Sequence, residues 1–182
     1  TKKDHVVFQT KTGLKIKIRV NSTDLMALTH VWMIQEYSNS DFEINDSDIV
    51  IDVGAHIGLF ALFASQFCKR GKIFCFEPIK ENYELLVENI NSNKIKNIIP
   101  FNFAVSKVSD SVKIFLNDDY SGHSMFLETN NFVIVKSKSL PDIFSENNIR
   151  ECNFLKLDCE GAEYEIINSL SPEFLSKIKK SA

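Results

Sequence analysis

The run Asp48-Ile49-Val50-Ile51-Asp52-Val53 stops at Gly54, and a second glycine follows at Gly58. A β-branched run of this length, apolar apart from its two aspartates, reads as a strand buried on both faces, which belongs in a parallel sheet covered by helices. Residues 58–69 then read as helix, ending near Gly71. The pattern repeats downstream. Residues 72–76 form the second strand, 78–93 the second helix with Pro78 near its first turn, and 97–105 the third strand. Residues 111–116 and 132–136 read as strands separated by a polar loop over 118–124, and 140–147 as a short helix. Residues 153–157 form the fourth buried strand, followed by helices over 161–170 and 172–180. Alternation of this kind predicts an α/β fold, a mostly parallel Rossmann-like sheet with helices on both faces.

Ahead of this unit, residues 6–20 are two alternating runs around Lys11-Thr12-Gly13, the pattern of a β-hairpin. Ser22 or Thr23 can cap a helix reaching to about Tyr37, with Leu25, Leu28, Trp32 and Ile34 as its apolar stripe, and residues 38–48 read as a loop. The chain has 182 residues, which suits one domain. Residues 1–47 are therefore read as part of the same domain as 48–182.

The formal net charge is −3, with no basic stripe, so a nucleic-acid-binding surface is not expected. No apolar run approaches the roughly 20 residues that span a bilayer. Cys68, Cys75, Cys152 and Cys159 include no Cys-x-x-Cys pair, so a zinc ribbon is not expected. Cys75 and Cys159 read as small buried hydrophobes, and free thiols suit a reducing, cytoplasmic location.

In doubly wound folds, ligands sit beyond the carboxyl ends of the strands. Asp52-Val53-Gly54-Ala55-His56-Ile57-Gly58 lies at the first such end, where Gly54 allows a sharp turn and Gly58 a close approach at the start of the helix, whose first amides would face the ligand. The spacing is Gly-x-x-x-Gly and lacks the middle glycine of the dinucleotide fingerprint, which weighs against an NAD-type oxidoreductase. Glu77, about 20 residues past the loop, ends the second strand and can accept hydrogen bonds from two ribose hydroxyls. Phe103-Ala104-Val105-Ser106 ends the third, where Ala104 can flank an adenine ring. Asp158 ends the fourth, and Glu160 and Glu163 suit the first turn of the following helix. Asp158 is the candidate to orient a cofactor amino group or to act as general base. His123, in the turn-like Ser121-Gly122-His123-Ser124, is a second candidate base. His5 and His30 are read as surface residues, and no metal site is assigned.

Three segments together resemble the FkbM-type family of S-adenosylmethionine-dependent methyltransferases: Ile49 through Gly58, Phe76-Glu77-Pro78, and Phe154-Leu155-Lys156-Leu157-Asp158-Cys159-Glu160-Gly161-Ala162-Glu163. The lead-in Val135-Lys136-Ser137-Lys138-Ser139-Leu140-Pro141-Asp142 resembles it too. The resemblance implies a class I methyltransferase fold, S-adenosylmethionine held by Asp52, Gly54, Ala55, His56, Gly58, Glu77, Pro78, Ala104 and Asp158, and methyl transfer to a hydroxyl oxygen of a sugar or other small metabolite. It departs at His56, where the family commonly has Asn, so hydrogen bonding there is expected to survive in changed form. A class I sheet also needs strands beyond Lys180, so the C-terminal strands are expected to be missing from this chain. The alternatives are an NAD-type oxidoreductase and a non-catalytic cofactor-binding module.

Overall fold

Asp52 and Val53 end a strand that has a parallel neighbour on each side in the computed structural model, which describes residues 4–20, 22–34, 43–116, 131–159 and 161–182. The N-terminal hairpin is β1 (His5–Gln9) and β2 (Lys15–Arg19). The central sheet runs β5-β4-β3-β9, all parallel, with β3 (Ile49–Val53), β4 (Lys72–Phe76), β5 (Ile98–Phe101) and β9 (Phe154–Leu157). A second sheet places β8 (Phe132–Lys138) between β6 (Ala104–Val105) and β7 (Ser111–Phe115). The α/β, Rossmann-like expectation therefore holds.

The helices explain why β3, β4 and β9 are apolar throughout. On one face Val50, Ile73 and Phe154 pack with α2 (Leu59–Ala64), α3 (Lys80–Ser92) and the inward side of the hairpin at Ile16 and Ile18. On the other, Ile51, Val53 and Leu155 pack with α4 (Leu140–Glu146), α5 (Glu163–Asn168) and α6 (Pro172–Leu175). α2 is enclosed so fully that all six of its residues are buried, which is why its sequence has no polar face. Ser139 caps α4 by accepting from the Asp142 amide, with Pro141 in the first turn, and Ser171 caps α6 likewise through Phe174.

β2 is held by side chains. Asn89 on α3 and Asn93 at its C-terminal cap each accept from and donate to the backbone, of Lys17 and Lys15 respectively, as a neighbouring strand would. Asn89 also donates to the Ile57 carbonyl at 3.0 Å. Amide side chains thus satisfy backbone groups that an edge strand would leave open.

Several expected boundaries change. The segment expected as one third strand is split into β5 and β6, because Asn102 Nδ2 donates to the carbonyls of Glu77 and Pro78 and draws the chain out of the sheet. The first helix is α1 (Asp24–Leu28) continued by a π-helical stretch, Thr29–Ile34. The wider winding rotates the expected stripe. Leu25 and Ile34 face outward, while Val31, Leu28 and Trp32 turn to the core. The last helix ends at Leu175, not near Lys180. Beyond it the chain runs beside β9 in parallel, bridging Ile178 to Cys152 and Ser181 to Leu155. Cys75 is buried as expected, whereas Cys159 is half-buried and borders a cavity.

Candidate functional site

A cavity of about 390 Å³ opens at the carboxyl ends of β3, β4 and β9, within the usual range for small-molecule sites. Gly54, Ala55, His56, Glu77, Pro78, Ala104 and Asp158 border it. Asp52 and Gly58 do not. Asp52 lies beneath the floor, and Gly58 caps α2 in the left-handed region at φ 87°. Phe103 turns away to pack on Phe76 and Phe101, leaving Ala104 and Val105 at the wall. His30, read as a surface residue, is exposed but borders the cavity. His123 and Glu160 lie outside the described residues.

The loop after β3 is wired into its neighbours. Gly54 and Ala55 both donate to the Phe76 carbonyl, at 3.0 and 3.1 Å, and Gly58 donates to Ala55 at 2.8 Å. His56 N donates to Glu77 Oε2 at 2.8 Å. The amides of Gly54, Ala55, His56 and Gly58 are thus used inside the protein. Gly54, at φ 74°, is forced: a Cβ there would stand 1.9 Å from the Asp158 carbonyl oxygen. His56 has φ 51°. Asn, Asp and His are the non-glycine residues enriched in that region, so backbone conformation accounts for a histidine where the resembling family carries asparagine.

Glu77 is buried yet borders the cavity, so it is no solvated cap. Its Oε1 accepts from Ile79 N at 2.9 Å and Asn82 Nδ2 at 3.4 Å, and its Oε2 from His56 N. Burial pushes the carboxyl up to about 7, against the pull of these hydrogen bonds. Ionised, each oxygen offers about two acceptor positions; Oε1 already takes two donors and Oε2 one, so Oε2 keeps room for one hydroxyl donor from the cavity.

Asp158 is the open group. Its side chain is 60% exposed, and its Oδ2 lies 3.3 Å from Lys156 Nζ. Lys156 was not singled out from the sequence. It is buried, 3.1 Å from Asp52 Oδ1, and donates to the Gly54 carbonyl at 3.3 Å. The signal was available: one cation inside the apolar run Phe154–Leu157, directly opposite Asp52 in the sheet register. Asp52 is fully buried, and neither of its oxygens meets hydrogen-bond geometry with any described group. Burial raises its carboxyl, Lys156 opposes the rise and Asp158 adds to it. Glu163 is structural, accepting from Cys159 N at 2.7 Å and Gly161 N at 2.9 Å, which ties down the turn after Asp158. The Cys159 thiol is pushed above its ordinary range by burial and the neighbouring Glu163, which leaves it poorly nucleophilic.

The other missed residues come from the N-terminal segment. Asp24 is fully buried and takes a forked pair from Arg19, Nη2 to Oδ1 at 2.7 Å and Nε to Oδ2 at 3.0 Å. Burial works to raise the Asp24 carboxyl, but the hydrogen bonds and charge of Arg19 outweigh it and leave it lowered. Arg19 Nη2 is also 2.9 Å from His56 Nε2. Arginine cannot accept, so the imidazole takes this bond at an unprotonated Nε2.

Among the described residues, no group of three or more His, Cys, Asp or Glu side chains could hold a metal ion, and no helix is long and apolar enough to cross a membrane.

Residues 52–179 match the model of the methyltransferase FkbM domain. The hexuronic acid methyltransferase AglP of Haloferax volcanii is 23% identical over 129 residues, covering 71% of this chain and 52% of that protein. Methyltransferase 1 of Beauveria bassiana is 21% identical over 150 residues, covering 70% of this chain and 60% of its own. The chain thus spans little more than half the length of these relatives. The crystal structure of wild-type Trm5b from Pyrococcus abyssi superposes with a TM-score of 0.50 at 13% identity, over 98% of this chain and 38% of that one, a likeness of fold.

Proposed function

Because this chain belongs to the FkbM methyltransferase family, we propose that its cavity binds S-adenosylmethionine beside a small acceptor and that the methyl group goes to a hydroxyl oxygen of a sugar or related metabolite. The observation that carries this reading is the placement of two carboxylates on one cavity. Glu77 and Asp158 stand at the ends of β4 and β9, on either side of the loop that follows β3.

The residues present fit this cofactor. The loop and cavity supply a buried acid with a spare acceptor position, a small residue at Ala104, and apolar walls at Phe60, Val105 and Ile114. No phosphate is part of the cofactor, which agrees with loop amides already engaged inside the protein. When bound, the cofactor supplies an electrophilic methyl group on a sulfonium sulfur. Glu77 accepts from a ribose hydroxyl through Oε2. Ala104 leaves room beside the adenine. Asp158, the most exposed carboxylate at the cavity, takes the proton that an alcohol acceptor loses, or holds the amino group of the methionine portion. Lys156 keeps the Asp158 oxygen in place from below. Alignment of acceptor oxygen, methyl and sulfur supplies much of the rate, as it does in other in-line displacements. His123 remains a candidate second base.

Support for a sugar acceptor comes from AglP, whose name specifies a hexuronic acid. The test is a screen with methyl-labelled S-adenosylmethionine against sugars, hexuronic acids and small hydroxylated metabolites, with transfer RNA as a contrasting acceptor, read by mass spectrometry of the products. The expected product carries the methyl group on oxygen. Labelling of RNA, or cofactor binding with no transfer to any hydroxyl compound, overturns the acceptor assignment; the second outcome favours a non-catalytic module.

A further inference from the structure

The N-terminal hairpin and α1 lie outside the matched residues 52–179, yet they bring two charged side chains against the cofactor loop. We infer that Arg19 and Asp24 are positioning residues for Glu77, so that the hairpin and α1 form a working part of the cofactor site. The inference rests on the proposed reading of Glu77 as the ribose acceptor.

Two arms lead from Arg19 to Glu77, one to each carboxylate oxygen. In the first, Arg19 Nη1 donates to Asn82 Oδ1 at 2.8 Å. An amide whose oxygen is held in this way has its NH2 directed away, and Asn82 Nδ2 faces Glu77 Oε1 at 3.4 Å. In the second, Arg19 Nη2 donates to His56 Nε2 at 2.9 Å, while the His56 backbone amide donates to Glu77 Oε2 at 2.8 Å. A histidine at φ 51° needs outside support to stay there, and the bond from Arg19 to its ring provides it. Asp24 completes the unit. It fixes the guanidinium through both oxygens and takes the Arg19 amide at 2.8 Å as well.

Fastening the hairpin does not require this arrangement. Asn89 and Asn93 already pair with the backbone of Lys17 and Lys15 further along α3. A buried ion pair adds little net stability; here two further donors of Arg19 point to Asn82 and His56, which both touch Glu77. A lysine at position 19, with three donors on one nitrogen, could not reproduce the four bonds that the planar guanidinium makes.

The test measures binding of S-adenosylhomocysteine and of its 2′-deoxyribose analogue by calorimetry. The proteins are the wild-type chain, Arg19→Met, the isosteric Asp24→Asn, Glu77→Gln, the double variant Arg19→Met with Glu77→Gln, and Asn93→Ala as a control that loosens only the hairpin. Arg19→Met and Asp24→Asn are expected to weaken S-adenosylhomocysteine about tenfold, the loss of one charge-assisted hydrogen bond, and to affect the deoxy analogue much less. Arg19→Met should add little in the Glu77→Gln background, and Asn93→Ala should leave the ratio of the two affinities unchanged. Equal weakening of both ligands, or full additivity with Glu77→Gln, overturns the positioning role while leaving the ribose reading intact. A wild-type chain that binds both ligands equally, or neither, overturns the ribose reading and this inference with it.

Discussion

Lys156 faces Asp52 across the register of β9 and β3, its ammonium 3.1 Å from Asp52 Oδ1, and both side chains are buried. The same ammonium reaches Asp158 Oδ2 at 3.3 Å and the Gly54 carbonyl at 3.3 Å. One cation therefore joins the strand end, the glycine loop and the open carboxylate. Removing it leaves Asp52 charged and enclosed.

Lys156→Met is expected to destabilise the fold by about 3–5 kcal/mol near neutral pH, the usual cost of leaving one partner of a buried pair alone. The variant raises the Asp52 carboxyl further. A raised carboxyl stabilises the fold below its unfolded value and loses that contribution as pH rises, so the deficit should shrink in acid. Asp52→Asn in the Lys156→Met background should recover most of the loss. Urea unfolding of the four proteins checks this, and simple additivity would contradict it.

Glu77 gives a pH-dependent binding signature. Its carboxyl is pushed from an ordinary 4.5 to about 7 by burial. In the free protein this group contributes stability below about 4.5 that is lost as pH rises through about 7. A hydroxyl donor from a ribose favours the ionised form. Cofactor binding near neutral pH should therefore release a proton, and affinity should rise with pH through about 7. Calorimetry in buffers of different ionisation enthalpy measures the proton directly. Glu77→Gln should abolish the release; its persistence would move the assignment to another group.

The strands β3, β4 and β9 were legible in the sequence because burial on both faces leaves continuous apolar runs, and the glycines and acids at their ends mark where the chain leaves the sheet. Glu77 was legible from its spacing to Gly54. Arg19 and Asn82 were not, because they meet across a long stretch of sequence, and Asp24, though five positions from Arg19, shares their cluster only in the fold. Arg19 meets His56 37 positions away and Asn82 63 positions away, and a charged residue without a visible partner reads as solvated. The break between β5 and β6 was hidden for a similar reason, since it depends on Asn102 reaching the carbonyls of Glu77 and Pro78. The π-helical turn at Thr29–Ile34 shifts the buried face by a register that a regular helical period does not anticipate.

Asp158 separates chemistry from binding. Asp158→Asn keeps size and hydrogen-bonding shape but cannot take a proton. If the carboxylate is the base for the acceptor hydroxyl, kcat should fall by about 10²–10⁴, the usual range for general-base removal, while cofactor affinity changes far less. Steady-state kinetics together with direct cofactor titration give both quantities. A large loss of cofactor affinity with an unchanged turnover at saturation would assign Asp158 to the methionine amino group instead.

The two glycines of the loop should respond unequally to a methyl group. Both have positive φ, 74° at Gly54 and 87° at Gly58, so alanine pays roughly 1–2 kcal/mol of backbone strain at either. What the new Cβ meets differs. At Gly54 it would lie 1.9 Å from the Asp158 carbonyl oxygen and 2.7 Å from its carbon, both backbone. Relief requires the ends of β3 and β9 to part, against the Asp158 amide that donates to the Val53 carbonyl at 3.1 Å, and Asp158 moves with them. At Gly58 it would lie 2.5 Å from Leu86 Cδ1, the far end of a side chain that can rotate. Gly54→Ala should therefore lose activity out of proportion to its stability, and Gly58→Ala should lose mainly stability. Thermal midpoints and turnover measured on both variants decide it. A Gly54→Ala protein with near-normal turnover would mean that the tight approach of the loop to Asp158 has no part in holding the reacting groups.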